Sequence, residues 1–462
     1  MLTSLRIQNF KAWKDTGSVR LAPLTVIFGA NSAGKSSLGH LMLALKQTAQ
    51  ATDRRRALHL GDEKSLIDLG TFEDCLHGHH TKNPLEFELK WRPPGGFHTK
   101  DPLSRTTYRG DTLTLLSSLE ADNTSQPQVS RIHYAVTEDE GCRLGVEFHR
   151  SAKGDFSLKS DQYKLVKTPG RQWPLDAPEK FYRISDTSRA RFQNAGFLAD
   201  LALATEDLLN HFYYLGPLRD HPRRTYQWSG DTPEDVGAKG ELTVPAILAA
   251  DAQNRKLNRG PKQRLQTFQA FIAAWLKDLG VIHDFTVKQI ASGRKEYEVL
   301  IKSSFSAPEV KITDVGFGVS QVLPALVLPF YCPANSIVWM EQPEIHLHPQ
   351  VQAELADVFI CAVKARENNH ERNVQLIVES HSEHFLNRLQ RRLAEGVLTP
   401  DDVAVYFCRK NTRGGTDLEP LRVNMFGDIE NWPENFFGDE MADLTARTVA
   451  AAKKRRDPIR KS

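Results

Sequence analysis

Gly29-Ala30-Asn31-Ser32-Ala33-Gly34-Lys35-Ser36 follows the short apolar run Leu24 to Phe28 and precedes Leu38, Leu41, Met42 and Leu45. The run has the length and β-rich character of a buried strand, and the four later residues recur at the spacing of one helix face. Strand, glycine loop and helix in that order form the setting of a P-loop, and the octapeptide satisfies its pattern at every required position. Glycines let the backbone curl so that successive N–H groups meet phosphate oxygens, and the helix start adds its positive dipole end. Gly29, Ala30, Asn31, Ser32, Ala33, Gly34, Lys35, Ser36 and Ser37 are therefore the expected nucleotide-binding residues. Lys35 is expected to reach the β- and γ-phosphates of ATP, and the Ser36 hydroxyl to hold magnesium.

Working outward, the 462 residues suffice for two ordinary domains or one large domain with an insertion. Hydrophobic residues make up 40% and charged residues 25%, the balance of a soluble globular protein. Runs such as Ala325 to Leu328 are too short to cross a bilayer, and no secretion signal is visible. Cys75, Cys142, Cys332, Cys361 and Cys408 are scattered without a Cys-x-x-Cys pair, which suits a reducing cytoplasm better than zinc or a disulfide framework. With a net charge of only +3, composition does not announce nucleic-acid binding. Arg54 to Arg56 and the tail Lys453, Lys454, Arg455, Arg456 are basic runs that read first as solvated surface and second as phosphate contacts.

The middle of the chain has a different grammar. Leu85, Phe87, Leu89 and Trp91 alternate with polar residues, as do Leu144, Val146, Phe148 and later Tyr297, Val299, Ile301, the pattern of half-buried antiparallel strands. Asp101 to Gln128 reads as a long polar loop between them, and Phe197 to Leu209 and Leu265 to Leu279 as helices. The last third returns to alternating strands and helices, with strands at Ser336 to Met340 and Val374 to Val378. Such alternation predicts a largely parallel sheet covered on both faces.

Three further strings complete the site expectation. Ile337-Val338-Trp339-Met340-Glu341 is an apolar strand that delivers a carboxylate beside the magnesium, so Glu341 joins Ser36 as an expected metal residue. Gln342 follows it, and Glu344 lies three residues beyond Glu341. Asp314-Val315-Gly316-Phe317-Gly318-Val319-Ser320-Gln321 precedes this strand and could present Gly318, Ser320 and Gln321 to the γ-phosphate of ATP on a second subunit; its plainer reading is a glycine turn before a buried helix. Glu379-Ser380-His381-Ser382 ends the next strand and resembles a switch region of ABC/SMC-like ATPases, which implies that His381 contacts the γ-phosphate.

Pro343-Glu344-Ile345-His346-Leu347-His348-Pro349 resembles the corresponding segment of the RecF-like, SMC-like and OLD-type ATPases. The four pieces together resemble an ABC/SMC-like head, and the chain is similar to bacterial P-loop ATPases that end in a domain of unknown function. Tyr214-Leu215-Gly216-Pro217-Leu218-Arg219, Asp235 to Glu241 and Gly427 to Phe437 carry that second likeness. The resemblance implies an α/β fold, an ABC-ATPase head at 1–80 and 310–440, a globular, partly β inserted lobe at 81–309 and a basic tail at 441–462. It also implies ATP and Mg2+ as cofactors, a homodimer with ATP between its heads, a separate effector protein, and a setting in anti-phage defence or DNA processing, with double-stranded DNA as a further partner and no membrane.

Departures from the family pattern bear on the chemistry. Glu341 replaces the usual aspartate, Gln342 stands where the catalytic glutamate is usual, and Gly318 stands where the signature serine is usual. Glutamine can orient water but cannot take its proton, so slow hydrolysis is expected unless Glu344 supplies the base. Gln342, Glu344 and His381 are the expected catalytic residues. No Q-loop glutamine is evident; Asp68 to Asp74 occupies its approximate place. A RecF-like repair ATPase and a nucleotide-held scaffold are the competing readings. A transporter subunit fits the large insertion poorly, and a self-contained OLD-type nuclease would need more chain after His381.

Overall fold

The structure, a computed structural model, describes residues 1–139, 141–170, 174–411, 415–433, 436 and 445–451. A six-stranded sheet occupies its centre, in the order Phe212–Leu215, Ile337–Glu341, Gln375–Glu379, Leu24–Gly29, Val403–Lys410, Thr416–Leu421. The first five strands run parallel and the last pairs antiparallel. Parallel strands need covered crossovers, and side chains alternate between two cores. Val26, Phe28, Val338, Met340, Leu376 and Val378 pack on one face with helices Phe317–Tyr331, Pro349–Lys364 and Glu383–Ala394. On the opposite face, Ile27, Ile337, Trp339 and Ile377 pack with helices Lys35–Gln50 and Phe197–Asn210. Burial on both faces is the reason these strands read as continuous apolar runs.

The second core is closed by an eight-stranded antiparallel sheet. Its path runs Phe156–Lys159, Gly141–Arg150, Pro127–Glu138, Thr112–Ala121, Leu85–Trp91, Leu2–Phe10 and Trp13–Asp15, with Val19–Arg20 also paired to Leu2–Phe10. The partly β lobe expected at 81–309 is thus continuous with the amino-terminal strand, since Leu5 pairs with Leu89 and Ile7 with Phe87. Phe212–Leu215, from the same stretch of chain, is a strand of the central sheet.

Asp101 to Gln128 is not the long loop that its polarity suggests. It contains strands Thr107–Gly110 and Thr112–Ala121 and enters Pro127–Glu138. Leu113, Leu115 and Leu119 are buried, and so are Ser117 and Ser118. Serine and threonine within the strand weaken the apolar alternation, although Ser118 satisfies its hydroxyl on Glu86 at 2.5 Å. The basic residues Lys453 to Arg456 lie outside the described residues. Among the described residues, no helix is long and apolar enough to cross a membrane.

Gln375 joins the two sheets. Its fully buried amide accepts from Leu2 N at 3.0 Å and donates to Leu2 O at 2.8 Å and Ala22 O at 3.0 Å. Replacing it by leucine removes the side-chain partner of Leu2 N and Leu2 O and leaves Ala22 O with the Thr25 hydroxyl alone, at 3.3 Å, and each buried group left unpaired costs about 1–3 kcal/mol. Gln375→Leu is therefore expected to lower stability by roughly 2–5 kcal/mol, read from the shift of the denaturant unfolding midpoint.

Candidate nucleotide site

The loop after Leu24–Gly29 is shaped by its glycines. Gly29 has φ 146°, and a Cβ there would stand 2.3 Å from the Cys408 carbonyl oxygen on the neighbouring strand. Gly34 has φ 88° and caps the helix Lys35–Gln50, where a Cβ would meet that of Ala12 at 2.6 Å. Ser32 is also left-handed, at φ 59°. Ala30, Asn31 and Ser32 are exposed at the loop crest, Ala33 is buried beneath them, and Ser36 and Ser37 are half-buried on the first helical turn. The result is a curled backbone at a helix N-terminus, the form that accepts phosphate.

Lys35 is buried and folds back on its own loop, donating to Gly29 O at 2.8 Å and Ala30 O at 2.9 Å. Burial lowers its ammonium pKa, opposed chiefly by Glu379. A phosphate arriving in the cradle competes for the same ammonium, which has a flexible stem to follow it.

Parallel register brings the acids together. Glu341 and Glu379 are direct partners at the ends of adjacent strands, and both are buried. Glu341 accepts from the Tyr214 hydroxyl at 2.7 Å, and His40 Nε2 stands 3.6 Å from the same oxygen. Glu379 accepts from the Ser36 hydroxyl at 2.8 Å through one oxygen and from the Trp339 indole N–H at 2.8 Å through the other. Burial, then the nearby Glu341, drive the Glu379 pKa upward. The Trp339 indole reaches Glu379 over Gly39, where a Cβ would lie 2.7 Å from the ring.

The segment after Glu341 turns sharply. Gln342 has φ 44°, a strained value for a side-chain-bearing residue, and its N–H donates to Glu379 O at 2.8 Å. Its side chain is half-buried. Glu344 is buried, and one oxygen accepts from the Ser380 hydroxyl at 2.8 Å and from His381 N at 2.7 Å. Burial pushes its pKa up against these hydrogen bonds, and its other oxygen has no partner among the described residues. His381 is half-buried with Nε2 likewise unpartnered; burial, then Lys35, lower its pKa to about 4, so the imidazole is neutral at pH 7.

Arg219 extends this cluster. It is buried, donates from Nη2 to Glu341 O at 3.3 Å, and leaves Nε and Nη1 without partners. Arg223 and Arg224, by contrast, form exposed ion pairs with Asp220 and Asp314, both at 2.8 Å. Unpartnered buried polar atoms on Arg219, Glu344 and His381 fit a site that receives a polar ligand.

Gly316 caps the helix Phe317–Tyr331, so the helix begins within the proposed signature and not after it. Gly318 is half-buried, whereas Ser320 and Gln321 are buried within the same chain. Ser320 lines a small cleft with Tyr226, Thr243 and Pro324. In Asp68 to Asp74 the polar groups bond locally, Asp74 to Thr71 and Asp68 to Gly70.

Sequence reasoning therefore passed over Glu379, Tyr214, Trp339 and His40, and left the Arg219 contact open. A signal existed for Glu379: it is an acid at the end of a buried strand, overshadowed by the histidine two residues later. For Tyr214 and His40 the contacts depend on pairing between distant segments.

Among comparisons with known proteins, residues 248–386 match the family model of an AAA ATPase domain. Residues 398–446 match the model of a protein of unknown function, DUF3696. Over those residues the chain is similar to an AAA ATPase domain followed by a DUF3696 element. These two matches bear out the likeness to P-loop ATPases with a carboxy-terminal domain of unknown function. Solved structures that the chain resembles include the SMC head domain from Thermotoga maritima, with 10% identity over 91% of this chain and 99% of that chain and a TM-score of 0.41. Another is an Smc head bound to the C-winged helix domain of ScpA, with 11% identity, 91% and 98% coverage and a TM-score of 0.40. An Smc head with an extended coiled coil, bound to the C-terminal domain of ScpA derived from Pyrococcus furiosus, has 9% identity, 97% and 99% coverage and a TM-score of 0.36. No curated protein matches.

Gly39→Ala tests how tightly the indole is placed. Alanine is the better helix former by about 1 kcal/mol, but overpacking against a fixed ring costs about 1–3 kcal/mol. A lowered melting temperature is expected, measured by circular dichroism, and a raised one would show that the Trp339 ring moves freely.

Proposed function

We propose that this protein is a nucleotide-gated switch in which ATP and Mg2+ hold two heads together and hydrolysis, slow by design of the site, releases them. The observation that carries the reading is the convergence of Lys35 and Ser36 with Glu341, Glu379, Glu344 and His381 at one sheet edge, while position 342 bears an amide. The P-loop backbone from Gly29 to Ser37 binds the phosphates. Ser36 and a strand-end carboxylate, Glu341 in the sequence reading, take the magnesium, which supplies charge neutralisation at the phosphates.

Gln342 orients the attacking water. Glu344, with one free carboxylate oxygen and a pKa raised by burial, is the available base, and neutral His381 meets the γ-phosphate through its free nitrogen. Gly318 and the exposed Gly316 offer backbone N–H groups to ATP held by a second copy, with Ser320 and Gln321 supporting that turn from inside. Closure of such a dimer moves the antiparallel lobe, because its sheet shares the Leu2–Phe10 strand and Gln375 with the head. A cytoplasmic setting in anti-phage defence or DNA processing, with a separate effector and double-stranded DNA as the sensed partner, completes the reading. The amide at 342 also favours a second reading, a nucleotide-held scaffold that hydrolyses little until a partner binds.

ATP turnover and solution mass, measured with and without ATP and with double-stranded DNA, separate these readings, with Lys35→Ala as control. ATP-driven association with turnover above the control supports the switch. Association without turnover supports the scaffold, and no association with ATP ends the two-headed model. Gln342→Glu is expected to raise turnover by about tenfold or more, and Glu344→Gln to lower it by about a hundredfold, within the range of general-base catalysis.

A further inference from the structure

We propose that Glu379, rather than Glu341, is the carboxylate that joins the Ser36 hydroxyl in seating the divalent cation. This rests on the reading that the P-loop binds ATP with magnesium. The Ser36 and Glu379 oxygens are 2.8 Å apart. Neighbouring ligands of an octahedral magnesium ion, each bound at about 2.0–2.1 Å, stand about 3 Å apart. The two oxygens thus already have the separation of adjacent ligands.

The carboxylate is also aimed. Its other oxygen is fixed by the Trp339 indole, which in turn lies over the bare Cα of Gly39. Anchoring one oxygen to a ring held by packing leaves the other to face the P-loop serine, the arrangement by which outer partners orient a metal ligand. Glu341 is engaged differently. The same Oε1 atom takes the hydroxyl of Tyr214, on the strand Phe212–Leu215, and stands 3.6 Å from His40 Nε2, on the helix Lys35–Gln50. The central strand Gln375–Glu379 separates the Glu341 strand from the P-loop strand, so Glu379 is the acid next to the loop.

Charge points the same way. Two carboxylates in direct register within a buried site repel each other, and either a proton on one of them or a cation beside them relieves the repulsion; at neutral pH a bound Mg2+ is the cation this site would take. Lys35 is committed to Gly29 O and Ala30 O. Among the described residues no three histidine, cysteine or acidic side chains gather as a metal cage. A magnesium ion does not need one, since it takes one or two protein oxygens together with phosphate oxygens and water. Ser36 and Glu379 supply the protein share.

The test is the affinity for a fluorescent ATP analogue in Mg2+ and in EDTA, together with Mn2+ binding followed by electron paramagnetic resonance. Wild type, Glu379→Gln, Glu379→Asp and Glu341→Gln are compared. Glu379→Gln is expected to keep its affinity in EDTA, which also reports that it is folded, and to lose at least about tenfold of the gain given by Mg2+. Glu341→Gln should lose less, and Mn2+ affinity should follow the same order. If Glu379→Gln does not fold, Glu379→Asp carries the test, with the same loss expected from the shortened carboxylate. A full Mg2+ gain in the folded Glu379 variant overturns this assignment and leaves ATP binding intact. Failure of the wild type to bind the analogue overturns both.

Discussion

Parallel pairing of three strands is the constraint on which the rest of this protein depends. Leu24–Gly29 pairs with Gln375–Glu379, and that strand with Ile337–Glu341, so their carboxy-terminal ends stop at one edge. Side chains there inherit fixed heights from the hydrogen-bond ladder. Glu341 and Glu379 become neighbours because Val338 is opposite Leu376 and Met340 opposite Val378. A slip by one residue would send the apolar set to the wrong core and the acids away from the loop. The two cores on either face therefore enforce the geometry of the site.

Polar groups at that edge are expensive, and the structure meets the cost unevenly. Tyr214, Trp339, Ser36 and Ser380 each give a hydrogen bond to a buried acid. Those bonds offset part of the desolvation cost of the carboxylates. Arg219, Glu344 and His381 keep unpartnered atoms, and Gln342 keeps a strained backbone. Unmet demand and strain in the same few residues are what the proposed nucleotide site would relieve on binding its ligand. Elsewhere, Gln375 shows the opposite case, a buried amide with every group used.

Local patterns made the P-loop, the flanking helix and the buried strands readable, because each obeys a periodicity confined to a dozen residues. The strand at Thr112–Ala121 does not stand out in the sequence because four of its ten positions are threonine or serine, and its stability comes from ladders to Leu85–Trp91 and Pro127–Glu138. Similarly, Gly318, Ser320 and Gln321 looked alike as a motif, yet helix periodicity from Phe317 turns Ser320 and Gln321 inward and leaves Gly318 nearer the surface.

The sequence by itself determined that a glycine loop of the P-loop pattern stands between a strand and a helix, that the surrounding fold is α/β, and that Glu341, Glu344 and His381, though not Glu379, are candidates to serve it. Those features follow from residue type and short-range spacing. Tertiary structure decided which acid meets Ser36, which tyrosine holds Glu341, and that the inserted lobe shares a sheet with the amino terminus. These are contacts between residues up to hundreds of positions apart, as between Ser36 and Glu379. They are set by strand order and register, which no local pattern encodes.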